Sequence, residues 1–146
     1  ELGLKVYKKP EIIEINKKKF YIGHGDGLGK GNNTYKLIKI IYKNKICQFL
    51  FQALPSSIGI SLAQFLSKRN KEKQNSSKEK LGEIYLIDYC KTVLKKHHID
   101  FFVFGHIHKP TNIQLSSNSK YINLGDWITH FSYAELDEEN LLLKNF

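Results

Sequence analysis

Apolar residues fall into three patterns along this chain: short strand-like runs near both ends, a helical period through the middle, and one unbroken run of four. The first strand-like runs cover 4–7, 11–15 and 19–22, with Asn16-Lys17-Lys18 as a hairpin turn between the last two. From Thr34 the period changes. Ile46, Phe49, Leu50, Ala53 and Leu54 recur at i, i+3, i+4, i+7 and i+8, as along one face of a helix. Pro55-Ser56-Ser57 interrupts that face, and Ile58, Leu62, Phe65 and Leu66 resume it, which predicts two short amphipathic helices. Residues 68–80 are polar and basic and predict a mobile loop. Leu86, Ile87, Cys90, Val93 and Leu94 predict a third helix ending near Lys95-Lys96-His97.

Phe101-Phe102-Val103-Phe104 lacks any polar alternation, the mark of a strand buried on both faces. Short strands are expected at 112–115, 121–124, 128–136 and 141–144. A helix leading into a buried strand is an α/β step, so the fold class read here is α/β.

Charge sharpens this picture. The net charge is +9, and residues 30–80 hold eleven Lys and Arg against two Asp and Glu, while the rest has twelve of each sign. The imbalance therefore belongs to that segment alone. A neutral body with one basic segment suits a local anionic partner, whether a phosphate-bearing ligand, a nucleic acid or a membrane surface; a solvated lysine-rich face is the plain alternative. Hydrophobic residues make up 41% of the 146, which argues against disorder. No apolar stretch reaches the roughly 20 residues of a membrane span, and no signal peptide is recognisable. Cys47 and Cys90 form no ligand spacing and read as buried, reduced thiols, in keeping with a reducing compartment. The chain holds no Met and opens on Glu1, which predicts the later part of a longer protein.

The candidate chemistry lies at two strand ends. Gly105-His106-Ile107-His108 follows the buried run, and Gly23-His24-Gly25-Asp26 follows 19–22. Neutral imidazole binds divalent transition metals near pH 7, and Gly-His-x-His at a strand end lets the chain turn tightly with both rings on one side. His24, His106 and His108 are therefore the expected metal ligands. Asp26 suits either a carboxylate orienting an imidazole or a loop cap. Residues 25–31, with glycines at 25, 27, 29 and 31, predict a loop open to positive φ and close backbone approach. Lys109-Pro110 sets a cation at the mouth, facing a phosphate or solvent. His97 and His98 read as solvated residues at a helix end, and His130 as packing within a strand.

Together, Gly23-His24, Gly105-His106-Ile107-His108 and Asn123-Leu124-Gly125-Asp126-Trp127 resemble the C-terminal motifs of calcineurin-like metallophosphoesterases. Within that superfamily, residues 20–29 followed by a helical apolar insertion resemble the UDP-2,3-diacylglucosamine diphosphatases of lipid A synthesis. The resemblance implies a β-sandwich flanked by helices, with a core at 1–29 and 81–146 and a lid at 30–80. It implies a binuclear centre, usually Mn2+, in which His24 and His106 bind one ion and His108 the other. The family's Asp-x-His, bridging Gly-Asp and Asn-(His/Arg)-Asp motifs stand N-terminal to a segment like residues 1–9. No counterpart precedes that segment here, so the N-terminal half is expected to be missing and the chain by itself inactive.

The implied reaction is hydrolysis of the sugar-nucleotide pyrophosphate to UMP and 2,3-diacylglucosamine 1-phosphate. The implied location is cytoplasmic, peripheral on the inner membrane. The lid's many apolar residues, lined by Lys36, Lys39, Lys43 and Lys45, suit acyl chains and an anionic membrane surface, or a helical hairpin that simply packs on the body. Asn75, Ser76, Lys78 and Lys80 are candidates for contact with sugar or phosphates. Asn32-Asn33-Thr34 departs from the more acidic, glycine-containing turn expected after Gly31. Nucleic acid is not expected as a partner. The alternatives are another calcineurin-like phosphodiesterase or nuclease, and a non-catalytic basic binding fragment.

Overall fold

Seven strands and four helices make up the computed structural model, which describes residues 7, 9–29, 33–72 and 76–146, without the side chains at 33–36, 69–72 and 76–79. The chain divides into two compact units: Glu1–Gly29 with Gly82–Phe146, and Lys30–Leu81.

The first unit is built on a five-stranded sheet in the order β1-β2-β3-β5-β4. β1 (Glu11–Ile15) and β2 (Lys18–Gly23) form a hairpin whose two turn residues, Asn16 and Lys17, both take positive φ (50° and 63°). Two such residues in succession make the turn whose twist matches that of paired strands. β2, β3 (Phe101–Phe104) and β5 (Ser119–Asn123) run parallel, whereas β4 (Thr111–Ser116) pairs antiparallel with β5. Parallel neighbours need a crossover connection. Between β2 and β3 the chain crosses through the second unit and returns along α4 (Ser76–Leu94). β6 (Ser132–Asp137) and β7 (Asn140–Asn145) form a separate two-stranded sheet.

Strand alternation sorts the core into two layers. Phe102, Phe104 and Tyr121 pack with Leu86 and Cys90 of α4, while Phe20, Phe101, Val103 and Ile122 pack with Leu141 of β7. β3 serves both layers, and all four of its residues are buried. That is why its sequence shows no polar alternation.

Burial pushes the Cys90 thiol up to about 12, because a thiolate there would lose its hydration. The native protein should therefore leave Cys90 unmodified by iodoacetamide at pH 8, while half-buried Cys47 reacts first. Peptide mass spectrometry before and after denaturation checks this, and native alkylation of Cys90 would contradict the packing around it.

The second unit holds α1 (Asn33–Lys43), α2 (Lys45–Gln52), α3 (Ser56–Glu72) and the first turns of α4. Asn44 starts α2: its Oδ1 accepts the Ile46 and Cys47 N–H groups at 2.8 and 3.3 Å. The Pro55 carbonyl accepts the Ile58 and Gly59 N–H groups at the start of α3. Among the described side chains from 37 to 68 none is buried, and Ile40, Ile46, Phe49 and Phe65 are each more than three-fifths exposed.

Two expectations are corrected. Within the loop expected at 68–80, residues 68–72 end α3 and 76–80 begin α4, because Lys, Arg and Glu form helix readily without an apolar stripe, and 73–75 lie outside the described residues. The strand expected at 128–136 begins only at Ser132, since 127–130 are a turn. The expected strand at 4–7 falls largely outside the described residues, and Tyr7 itself lies in no strand.

Candidate metal-binding site

The three parallel strands end in register, with Gly23 opposite Phe104 and Phe104 opposite Asn123. Their carboxyl ends therefore deliver Gly23-His24, Gly105-His106 and Leu124-Gly125-Asp126 to one edge of the sheet, where open α/β sheets commonly bind ligands. The Gly105 N–H donates to the His24 carbonyl at 3.2 Å, tying the first two ends together.

His24 and His106 meet there. Their ring centroids are 5.2 Å apart with planes at 73°, an edge-to-face pair. His24 is exposed and His106 half-buried. His106 adopts φ +59°, and the Ile107 N–H donates across it to the Gly105 carbonyl at 2.6 Å. This is a γ-turn of the rarer, positive-φ kind, a strained conformation costing about 1–3 kcal/mol for a residue other than glycine. The strained φ of this tight turn belongs to His106 and not to Gly105.

Asn123, fully buried, spans this corner. Its Nδ2 donates to the Gly105 carbonyl at 2.5 Å, and its Oδ1 accepts the Gly125 N–H at 3.0 Å. Gly125 has φ +73°, and a Cβ there would stand 2.6 Å from Pro110 Cγ and 2.7 Å from Ser132 Oγ. Pro110 thus closes over Gly125, and no larger residue fits.

Asp126 organises the next turn. Its Oδ1 accepts the N–H groups of Ile128, Thr129 and His130 at 2.9, 2.5 and 3.3 Å, and its Oδ2 lies 3.2 Å from His130 Nδ1. His130, expected to pack within a strand, instead borders this cap. The Thr129 N–H above all, then those of Ile128 and His130 with the His130 ring, hold the Asp126 carboxyl well below the usual carboxylate range. A group depressed in the folded state stabilises the protein fully above its unfolded value, near 3.9, and ceases to do so as pH falls through the folded value. Asp126→Asn should therefore flatten the loss of stability on acidification below about pH 4. Urea midpoints at pH 7 and pH 3 measure it, and parallel losses in the two proteins would remove this role.

His108 and Lys109 are exposed, and His108 does not join the His24–His106 pair. Asp26 is half-buried in the glycine loop, directly after buried Gly25. His97 and His98 are exposed beyond α4, with His98 Nε2 3.4 Å from Asp100 Oδ1. Lys80 is exposed on α4, the side chains of Ser76 and Lys78 lie outside the described ones, and Asn75 lies outside the described residues. Among the described residues no group of three His, Cys, Asp or Glu converges as a metal site. Two adjoining imidazoles fit as two ligands of one divalent ion, with the borderline donor chemistry that Mn2+ through Zn2+ accept, but they are not a closed site. Asn123 and Asp126, the residues that shape this edge, carried no sequence signal beyond membership of the Asn-Leu-Gly-Asp-Trp string.

No family model matches the chain. Among curated proteins it is similar to the UDP-2,3-diacylglucosamine hydrolase of Porphyromonas gingivalis, 26% identical over 161 residues covering 99% of this chain and 61% of that protein. The enzyme of the same name from Wigglesworthia glossinidia brevipalpis is 29% identical over 145 residues, 99% of this chain and 57% of the relative. That from an Escherichia coli strain is 23% identical over 149 residues, all of this chain and 62% of the relative. The chain spans about three-fifths of the length of these relatives. The resemblance carried by the strand-end motifs is thus a resemblance to UDP-2,3-diacylglucosamine hydrolases, sustained along nearly the whole of this chain.

Proposed function

We propose that the protein containing this chain hydrolyses the pyrophosphate of UDP-2,3-diacylglucosamine, releasing UMP and 2,3-diacylglucosamine 1-phosphate for lipid A synthesis. The observation that carries this reading is the adjoining His24 and His106 at the carboxyl edge of a parallel sheet, in a chain whose relatives bear that enzyme's name. A divalent ion such as Mn2+, when bound, supplies activation of water and neutralises charge on phosphoryl oxygens. His24 and His106 hold such an ion in part. The γ-turn fixes where the His106 ring starts from, and buried Gly25 packs beside it, where a Cβ would stand 3.5 Å from His106 Cβ. His108 is proposed as a ligand of a second ion. The carboxylate ligands are proposed to come from the portion of the relatives' length that this chain does not span.

The second unit supports the acylated half of the substrate. Its exposed isoleucines, leucines and phenylalanines offer apolar surface beyond any need of a nucleotide, and exposed Lys43 and Lys45 lie among them. Such a surface suits an anionic membrane face, each nearby Lys contributing about 1 kcal/mol. Among the described residues no helix is long and apolar enough to cross a membrane. The protein is proposed to work from the cytoplasmic side, resting on the inner membrane. Lys78, Lys80, Asn75 and Ser76 are proposed to meet sugar or phosphate.

The test is release of UMP from UDP-2,3-diacylglucosamine by the full-length protein with Mn2+, and its abolition by EDTA. Cleavage of simple nucleotide diesters without cleavage of the acylated substrate would replace this reading with that of a general phosphodiesterase.

A further inference from the structure

We infer that Asn123 is the positioning residue of the candidate site, its amide holding the strained His106 turn where the His106 ring can pair with His24. The inference rests on reading these two histidines as a ligand pair. The Gly105 carbonyl accepts two hydrogen bonds. It closes the γ-turn by accepting the Ile107 N–H at 2.6 Å, and it accepts Asn123 Nδ2 at 2.5 Å. The same amide's Oδ1 takes the Gly125 N–H, and Nδ2 also lies 3.4 Å from the Tyr121 hydroxyl. One buried side chain therefore ties the end of β3 to the loop after β5, spending donor and acceptor in opposite directions.

The two strands are already in register at Phe104–Asn123, and the Leu124 N–H donates to the Phe104 carbonyl at 2.8 Å. Toward β5, backbone pairing thus carries the sheet as far as Phe104 and stops before the turn, while toward β2 it reaches the Gly105 N–H, bonded to the His24 carbonyl. Beyond it, the Asn123 amide reaches the Gly105 carbonyl. A residue with positive φ persists only where its surroundings over-determine it, and Asn123 supplies that determination from the β5 side. Substrate need not touch it. It acts through Gly105 on the direction of the His106 ring.

The experiment reads ring pairing without the native metal or turnover. Cu2+–nitrilotriacetate binds two adjoining imidazoles, and its EPR spectrum distinguishes two coordinated ring nitrogens from one. The full-length protein, with His97 and His98 replaced by Gln to remove that neighbouring pair, should give a two-nitrogen spectrum that falls to one nitrogen in His24→Ala. Asn123→Asp keeps the acceptor for Gly125 but sets a carboxylate oxygen against the Gly105 carbonyl, and Asn123→Ser is too short to reach it. Both should lose the two-nitrogen spectrum, with copper affinity lowered at least tenfold. Ser132→Ala removes a comparably buried hydrogen bond, that to the Leu124 carbonyl, and should leave the spectrum unchanged. That comparison separates positioning from general loosening. A two-nitrogen spectrum retained by Asn123→Ser, matched for stability to Ser132→Ala, overturns the inference, and so does a parent protein without the two-nitrogen signal. Unimpaired turnover in His24→Ala would instead overturn the catalytic reading of the pair, leaving the Asn123 result to stand on the copper spectra.

Discussion

His24→Ala in the full-length protein should lower turnover of UDP-2,3-diacylglucosamine by more than about a hundredfold, the upper end of the loss seen when a residue that only orients a metal ligand is removed. A direct ligand should exceed that loss. The fold should hardly respond. The His24 side chain is exposed, and its ring meets that of His106 edge to face, so its removal should change stability by no more than about 0.5 kcal/mol. Steady-state kinetics at saturating Mn2+, set beside a urea melt, make the comparison. Near-normal turnover with an intact melt would end the assignment. His108→Ala shares the expectation by a different route. His108 is exposed and apart from the pair, so lost turnover with unchanged affinity for the first ion would mark it as a ligand of a second.

Phe102→Ala should destabilise the protein by about 3–5 kcal/mol, the cost of emptying a large aromatic site in a packed core. Phe102 is fully buried, with the Tyr21 ring centroid at 5.5 Å and Leu86, Cys90, Ile99 and Tyr121 in the same cluster. It stands on the middle strand, whose partners on either side leave little freedom to collapse into the space. Leu37→Ala is the counterpart: Leu37 is 59% exposed, and its loss should cost less than about 0.5 kcal/mol. Denaturant melts of the two variants should differ by several kcal/mol in unfolding free energy. Equal effects would mean that the hydrophobic layers are wrongly drawn.

What could be read in advance followed the strength of each local pattern. β1, β2, β3 and β5 were legible because alternation or unbroken apolar runs leave few other conformations open. The end of α3 and the start of α4 were not, because a helix rich in Lys, Ser and Glu carries no stripe. Residues 128–130 carry the sequence pattern of a strand, but the Asp126 carboxylate accepts three successive N–H groups there that a strand would have paired. The same applies to His130, whose ring borders that carboxylate instead of packing inside.

By itself the sequence determined the α/β class, the doubly buried strand, the basic and apolar character of 30–80, and the placing of candidate histidines after strand ends. Each of these is a local property, written in period, charge or spacing. Tertiary structure alone decided that His24 and His106 lie edge to face, because adjacency came from the parallel register of β2 and β3, whose residues stand some eighty positions apart in the chain. It also decided that the strained backbone belongs to His106 and that Asn123 braces it, because a φ angle and a buried hydrogen bond depend on neighbours supplied by other strands.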